Sequence, residues 1–145
     1  MLHSSKRRFA PILLIMIVLP AIVAGCSSPS SPGANADRIA GTWTLQSITP
    51  AGNPEQTTPA GASYALTLTE DRASAKADCN LCAGGLVVGD QTLTIGPLLA
   101  CTLAACPTMA FENTYVRLLA GDSTAQIDGN TLTLTSSRGV LRFRR

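Results

Sequence analysis

From Thr42 onward, large apolar residues fall at every second position in short runs. Trp43 and Leu45 alternate with Thr42, Thr44 and Gln46, and Tyr64, Leu66 and Leu68 alternate with Ala65, Thr67 and Thr69. The same beat returns at Leu93 and Ile95 between threonines, at Leu132 and Leu134 among Thr131, Thr133 and Thr135, and at Leu141 and Phe143 beside Val140, Arg142 and Arg144. Successive side chains of a strand point to opposite faces, so this alternation predicts antiparallel strands buried on one side. Glu70-Asp71, Gly89-Asp90, Asp128-Gly129-Asn130 and Ser137-Arg138-Gly139 supply the turns between them. Connections this short make hairpins and leave no room for parallel crossovers.

One stretch changes period. Phe111, Tyr115, Leu118 and Leu119 recur at helical spacing between Pro107 and Gly121, which predicts a helix over about 108–120. Ala73, Ala75 and Ala77 share one face of their strand, opposite Ser74, Lys76 and Asp78. A row of alanines on a buried face leaves space for the bulky side of that helix. The predicted fold class is therefore mainly β (α+β): a curved antiparallel sheet or incomplete β-barrel of about seven or eight strands with one helix.

The chain before this domain is of another kind. Lys6, Arg7 and Arg8 precede an almost unbroken apolar run from Phe9 to Ala24, and Gly25-Cys26 follows. A basic start, a short apolar segment and small residues before a cut site read as an export signal over 1–25. The run is shorter than the ~20 residues of a spanning helix, and Pro20 interrupts it. Val23-Ala24-Gly25-Cys26 resembles the bacterial lipobox, in which the cysteine thiol takes a diacylglyceryl group and cleavage then frees its amine for acylation, with palmitate as a typical chain. Two or three acyl chains at ~0.8 kcal/mol per buried CH₂ hold a small domain firmly on a membrane. Residues 26–37, rich in Ser, Pro and Gly, read as the lipidated Cys26 and a flexible tether, and 38–145 as a single domain. Ser27 after the lipid site resembles outer-membrane sorting toward the periplasm where a bacterium has two membranes; with one membrane, the expected address is the outer face of the cell membrane.

Processing changes the charge. Loss of the three basic residues leaves eight cationic side chains against nine acidic ones, so no global basic character argues for nucleic acid. His3, the only histidine, leaves too. Without histidine, Ser–His and Cys–His pairs and His–metal sites cannot be built. Glu70, Asp71, Asp90, Asp122 and Asp128 read as turn acids, and Ala83-Gly84-Gly85 lacks the lysine and helix of a phosphate loop. The expectation is a non-enzyme with no cofactor and no metal, monomeric, whose partners are the membrane and an unknown envelope protein or ligand.

Four cysteines remain besides Cys26: Cys79, Cys82, Cys101 and Cys106. An even number in an exported domain implies disulfides, with three connectivities open. A hairpin turning at Gly89-Asp90 sets partners whose position numbers have a nearly constant sum. The nested pairing Cys79–Cys106 with Cys82–Cys101 fits that rule better than the crossed one. The outer bridge is worth roughly 3–4 kcal/mol by loop entropy, the inner one less because it shares the loop. A four-thiolate zinc site or a redox Cys79-x-x-Cys82 are the alternatives; the exported compartment and the wide Cys101–Cys106 spacing favour bridges.

Three motifs now point in one direction. Gly41-x-Trp43-x-Leu45, Ala77-Asp78-Cys79-Asn80, and the Thr102–Cys106 stretch leading to Pro107 and Glu112 resemble, in order and spacing, the META/HslJ-like domain family with its W-x-L strand, G-C-N box, T-x-x-x-C segment and following glutamate. Asp78 stands where that family usually has glycine, and Cys82 and Cys101 go beyond its common pair. The resemblance implies a barrel-like antiparallel domain with a helix and no general enzymatic role; heat-inducible bacterial lipoproteins in the family suggest a stress connection.

Two surface features are candidates for binding. Arg138, Arg142, Arg144 and Arg145 cluster at the C-terminus, as charge protecting an edge strand or as a contact for anionic lipid or glycan. The polar stretch from Pro50 to Ala62 reads as a mobile insertion, with a recognition loop as the functional alternative. The leading expectation is a lipid-anchored envelope protein that binds or supports another envelope component. An inhibitor of proteases or other hydrolases acting through the 50–62 loop is the second, and a carboxylate-dependent hydrolase the third.

Overall fold

The computed structural model describes residues 32–145. The expected export signal, Cys26 and the first part of the expected tether lie outside the described residues. The elements run α1 (Pro32–Ile39), β1 (Gly41–Pro50), β2 (Gln56–Thr57), β3 (Tyr64–Leu68), β4 (Arg72–Ala77), β5 (Asn80–Val88), β6 (Thr92–Ile95), β7 (Ala100–Cys101), α2 (Met109–Leu119), β8 (Gly121–Asp128), β9 (Thr131–Ser136) and β10 (Gly139–Arg144). Among them no helix is long and apolar enough to cross a membrane.

Alternation becomes an inside and an outside. Trp43, Leu45, Tyr64, Leu66, Leu68, Leu93, Ile95, Leu132, Leu134, Leu141 and Phe143 are all buried, while the threonines between them look outward. The strands pair in the order β1-β3-β4-β5-β6-β8-β9-β10, every pair antiparallel, and β10 returns to β1. The sheet is thus a closed eight-stranded barrel, where a curved sheet or incomplete barrel was expected; the β10–β1 pairing, between residues at opposite ends of the domain, closes it. At this size side chains fill the interior and no lumen remains. Helix α2 packs on β1, β4 and β10, and the alanines of β4 make the room for it. Its ring contacts are edge-on: Tyr64 meets Phe111 at 5.0 Å and Tyr115 at 5.5 Å between centroids. Gly121, at φ +85°, turns the chain from the end of α2 directly into β8, a backbone state that a side chain disfavours.

Several expectations need correction. The second half of the tether is not loose chain, because Pro32–Ile39 forms α1, whose Asn35 amide donates to the Asp90 carbonyl at 2.6 Å. Asp122 belongs to a strand, not a turn. The weak inward residues Ser123, Ala125 and Ile127 hide β8 from a search for large alternating apolars. The 50–62 stretch is not a plain loop: β2 pairs with β1, Ser47 hydrogen-bonds to Glu55, and Thr58 Oγ1 donates to the Leu45 carbonyl at 2.9 Å. β10 is not an edge strand, since it lies between β9 and β1. Protection of an exposed edge therefore cannot explain the C-terminal arginines.

Candidate functional site

The polar chemistry of the interior gathers where the chain passes from β4 into β5 and from β7 into α2. Asp78 occupies the tight turn between β4 and β5 at φ +56°, the left-handed state that glycine adopts freely and aspartate tolerates. Its carboxylate anchors the turn by accepting from Thr108 Oγ1 at 2.6 Å, and Tyr64 OH donates to the same Thr108 oxygen at 2.9 Å. Thr108 is also the N-cap residue of α2, and its hydroxyl serves this chain instead of the helix end.

Two residues on, the buried Asn80 reads the passing loop. Its Oδ1 accepts from Ala104 N at 2.8 Å and from Thr102 Oγ1 at 2.9 Å. Its Nδ2 donates to the Ala104 carbonyl and to Glu112 Oε1, both at 2.9 Å. Glu112, on the first turn of α2, is only 5% exposed, and its Oε2 lies 3.5 Å from Cys106 Sγ. No buried side-chain polar atom lacks a partner among the described residues. A network in which every buried group is partnered ties the β4–β5 turn to the entry of α2. Burial raises the Tyr64 phenol above its ordinary value, and raises that of the fully buried Tyr115 much further, so both are neutral hydrogen-bond donors.

The structure brings the cysteines together as Cys79–Cys106 and Cys82–Cys101. The first ties the β4–β5 turn to the entry of α2. The second links directly opposed residues of β5 and β7.

The four arginines, by contrast, separate. Arg138 donates to the carbonyls of Arg117 and Ala120 and so caps the C-terminal end of α2. Arg145 places its guanidinium 4.3 Å from the centre of the Trp43 ring, covering that end of the barrel. Arg142 and Arg144 stand on the outer wall of β10, beside a shallow depression with Gln46, Asn130 and Thr131. The larger concavity, about 890 Å³ and open, lies between α1, the β5–β6 turn, β8 and β9, and takes in the core-packed Val88, Ala125 and Ile127 beside outward residues. Arg38, Asp90, Gln91, Thr92, Thr124 and Gln126 are among its lining. Nothing in the order of residues points to this cleft: its threonines look like ordinary outward positions of strands, and the tether gives no sign of α1.

The family model for the META domain matches residues 37–145. The chain belongs to the META-domain family. A protein from Burkholderia xenovorans, solved by NMR, superposes with a TM-score of 0.63 at 24% identity, covering 90% of this chain and 98% of that one. An uncharacterized protein from Bacteroides eggerthii, known from a crystal structure, gives a TM-score of 0.51 at 12% identity over 73% of this chain and 98% of its own. Both share the fold of this META domain, and at such identities the likeness extends no further. No curated protein matches the chain.

Proposed function

We propose that this META-domain protein is a lipid-anchored, non-catalytic component of the cell envelope, used under stress, whose outer barrel wall binds or supports another envelope component. The observation that carries this reading is the contrast between a filled interior and an open cleft beside α1 whose lining mixes polar groups with a few apolar ones. Trp43, Tyr64, Tyr115 and Phe143, each at most 1% exposed, leave no place inside for a ligand. Recognition then falls to the surface, where amides, hydroxyls, Arg38 and Asp90 line an open cleft of ligand size. The lipobox-like Val23-Ala24-Gly25-Cys26 supplies the anchor.

The test is a photoreactive amino acid placed at Thr124 or Gln126 in intact cells, with the exposed Thr42 of β1, on another wall of the barrel, as control. One specific partner captured from the cleft supports the reading; capture of nothing, or the same smear from both walls, overturns it. A second reading keeps some support. The 50–62 loop is pinned at Ser47–Glu55 and β2 yet exposed from Ala51 to Thr57, a presentation that suits an inhibitory loop. Protease activity that stays intact at micromolar protein would remove it. The hydrolase reading gains nothing from the cleft, whose lining contains one carboxylate, Asp90.

A further inference from the structure

Four large apolar side chains are exposed among the described residues: Leu81 at 62%, Val87 at 68%, Leu98 at 85% and Leu103 at 92%. They are not scattered. Leu81 and Val87 lie on the outer face of β5, with only Ala83 and Gly85 between them on that face. Leu98 and Leu103 belong to the segment that runs beside β5, held there by Gly96 N donating to the Gly85 carbonyl and Thr102 N to the Leu81 carbonyl. On the other flank, β4 sets Lys76 opposite Leu81 and Arg72 opposite Gly85, both exposed. Of the acids near this strip, Glu70, Asp71 and Asp90 sit in the turns at one end, and Asp78, whose carboxylate accepts from Thr108, sits in the β4–β5 turn at the other.

We infer that this wall, β5 with its neighbouring β6–α2 segment, is a docking face for the surface of an anionic phospholipid bilayer. Apolar side chains standing out from a wall flanked by cations match a bilayer interface, where leucines enter the acyl boundary and basic side chains meet the headgroups. The length of chain before the domain selects this occupant. Cys26 is six residues before Pro32, so a lipid there holds α1 within ~20 Å of the membrane. Helix α1 reaches the β5–β6 turn, so the wall that bears the leucines begins beside the tether. A face too weak to bind vesicles from solution becomes occupied when a tether fixes its effective concentration in the millimolar range. Laid on this side, the barrel turns β9 and β10, with Arg142 and Arg144, away from the bilayer, because β5 and β10 stand on opposite sides of the ring.

The inference rests on the lipid anchor proposed above, and the experiment separates the two. The acylated full-length product is reconstituted into phosphatidylethanolamine–phosphatidylglycerol vesicles, with p-benzoylphenylalanine replacing Leu81, Leu98 or Leu103, or Thr133 on β9 as control. Mass spectrometry then reads lipid adducts and the N-terminal peptide together. Expected are lipid adducts at least tenfold more abundant from the three leucine positions than from Thr133, falling several-fold in the K76E/R72E variant. Acyl chains on Cys26 with equal lipid capture from both walls would overturn the docking face and leave the anchor standing. Protein–protein adducts from Leu103 in place of lipid would assign the wall to a second copy and also overturn it. An unmodified Cys26 would remove the anchor and the docking face together.

Discussion

Around the start of α2, polar atoms are buried; along β5 and the segment beside it, leucines are exposed. The two regions adjoin, and each contains one disulfide. Near α2, Cys79–Cys106 stands against the Asn80–Glu112 network, where every group has a partner. Along β5, Cys82–Cys101 joins two strands already in register from the core side, and Leu81 and Leu103, just beyond it toward the β4–β5 turn, lie in solvent. Loop entropy scarcely distinguishes the bridges, whose separations are 27 and 19 residues. What distinguishes them is the native state: one bridge fixes the approach of a helix to the barrel, and the other reinforces a pairing the backbone already makes. Buried polarity in one region serves architecture, and exposed apolarity in its neighbour is the basis of the docking face proposed above.

The largest loss is expected at Asn80. Asn80→Ala strands the buried Glu112 and frees Thr102 and Ala104, so it should cost about 3–4 kcal/mol, read as a lower urea midpoint. An unchanged midpoint would show that water replaces the amide at no cost and that the network is not structural. Removing the bridges in turn tests whether the two regions differ. Replacing Cys79 and Cys106 together by alanine should cost about 3 kcal/mol, and replacing Cys82 and Cys101 about 2 kcal/mol, since each loop is partly closed by the other bridge and only the first change disturbs α2. Equal losses, with α2 equally protected from amide exchange in both variants, would erase that difference.

A smaller effect follows from Tyr115. Its folded-state pKa is raised by burial, so its contribution is complete below the unfolded value near 10 and is lost as pH climbs above it. Stability should fall by up to ~1.4 kcal/mol for each pH unit beyond ~10, and Tyr115→Phe should flatten that slope. An identical alkaline slope in the variant would assign the loss elsewhere. The smallest changes concern Asp78. Asp78→Ala loses the bond from Thr108 and keeps a side chain in the left-handed state, at about 1–2 kcal/mol, whereas Asp78→Gly trades that bond for backbone freedom and should stay within about 0.5 kcal/mol of the parent. A glycine variant as unstable as the alanine one would show that the carboxylate, not the backbone, holds the turn.

Much of this molecule is legible from its order of residues. The period of two at Trp43–Leu45, Tyr64–Leu68 and Leu141–Phe143 depends on chain geometry alone, and so does the helical spacing from Phe111 to Leu119. The hairpin at Gly89-Asp90 brings Cys82 near Cys101 for the same local reason. Nothing local distinguishes Leu98, which is exposed, from Leu99, which packs on the core; the path of the β6–β7 connection past Gly84 decides it. Nor does composition separate Arg138 and Arg145, committed to the end of α2 and to Trp43, from Arg142 and Arg144, which stay exposed on the wall. Most of the strands and helix α2 were written into the order of residues, because their patterns repeat within a few positions. That β10 closes on β1, that Asn80 reaches Glu112, and which wall carries its leucines outward were decided in three dimensions, because each depends on residues far apart in the chain meeting in space.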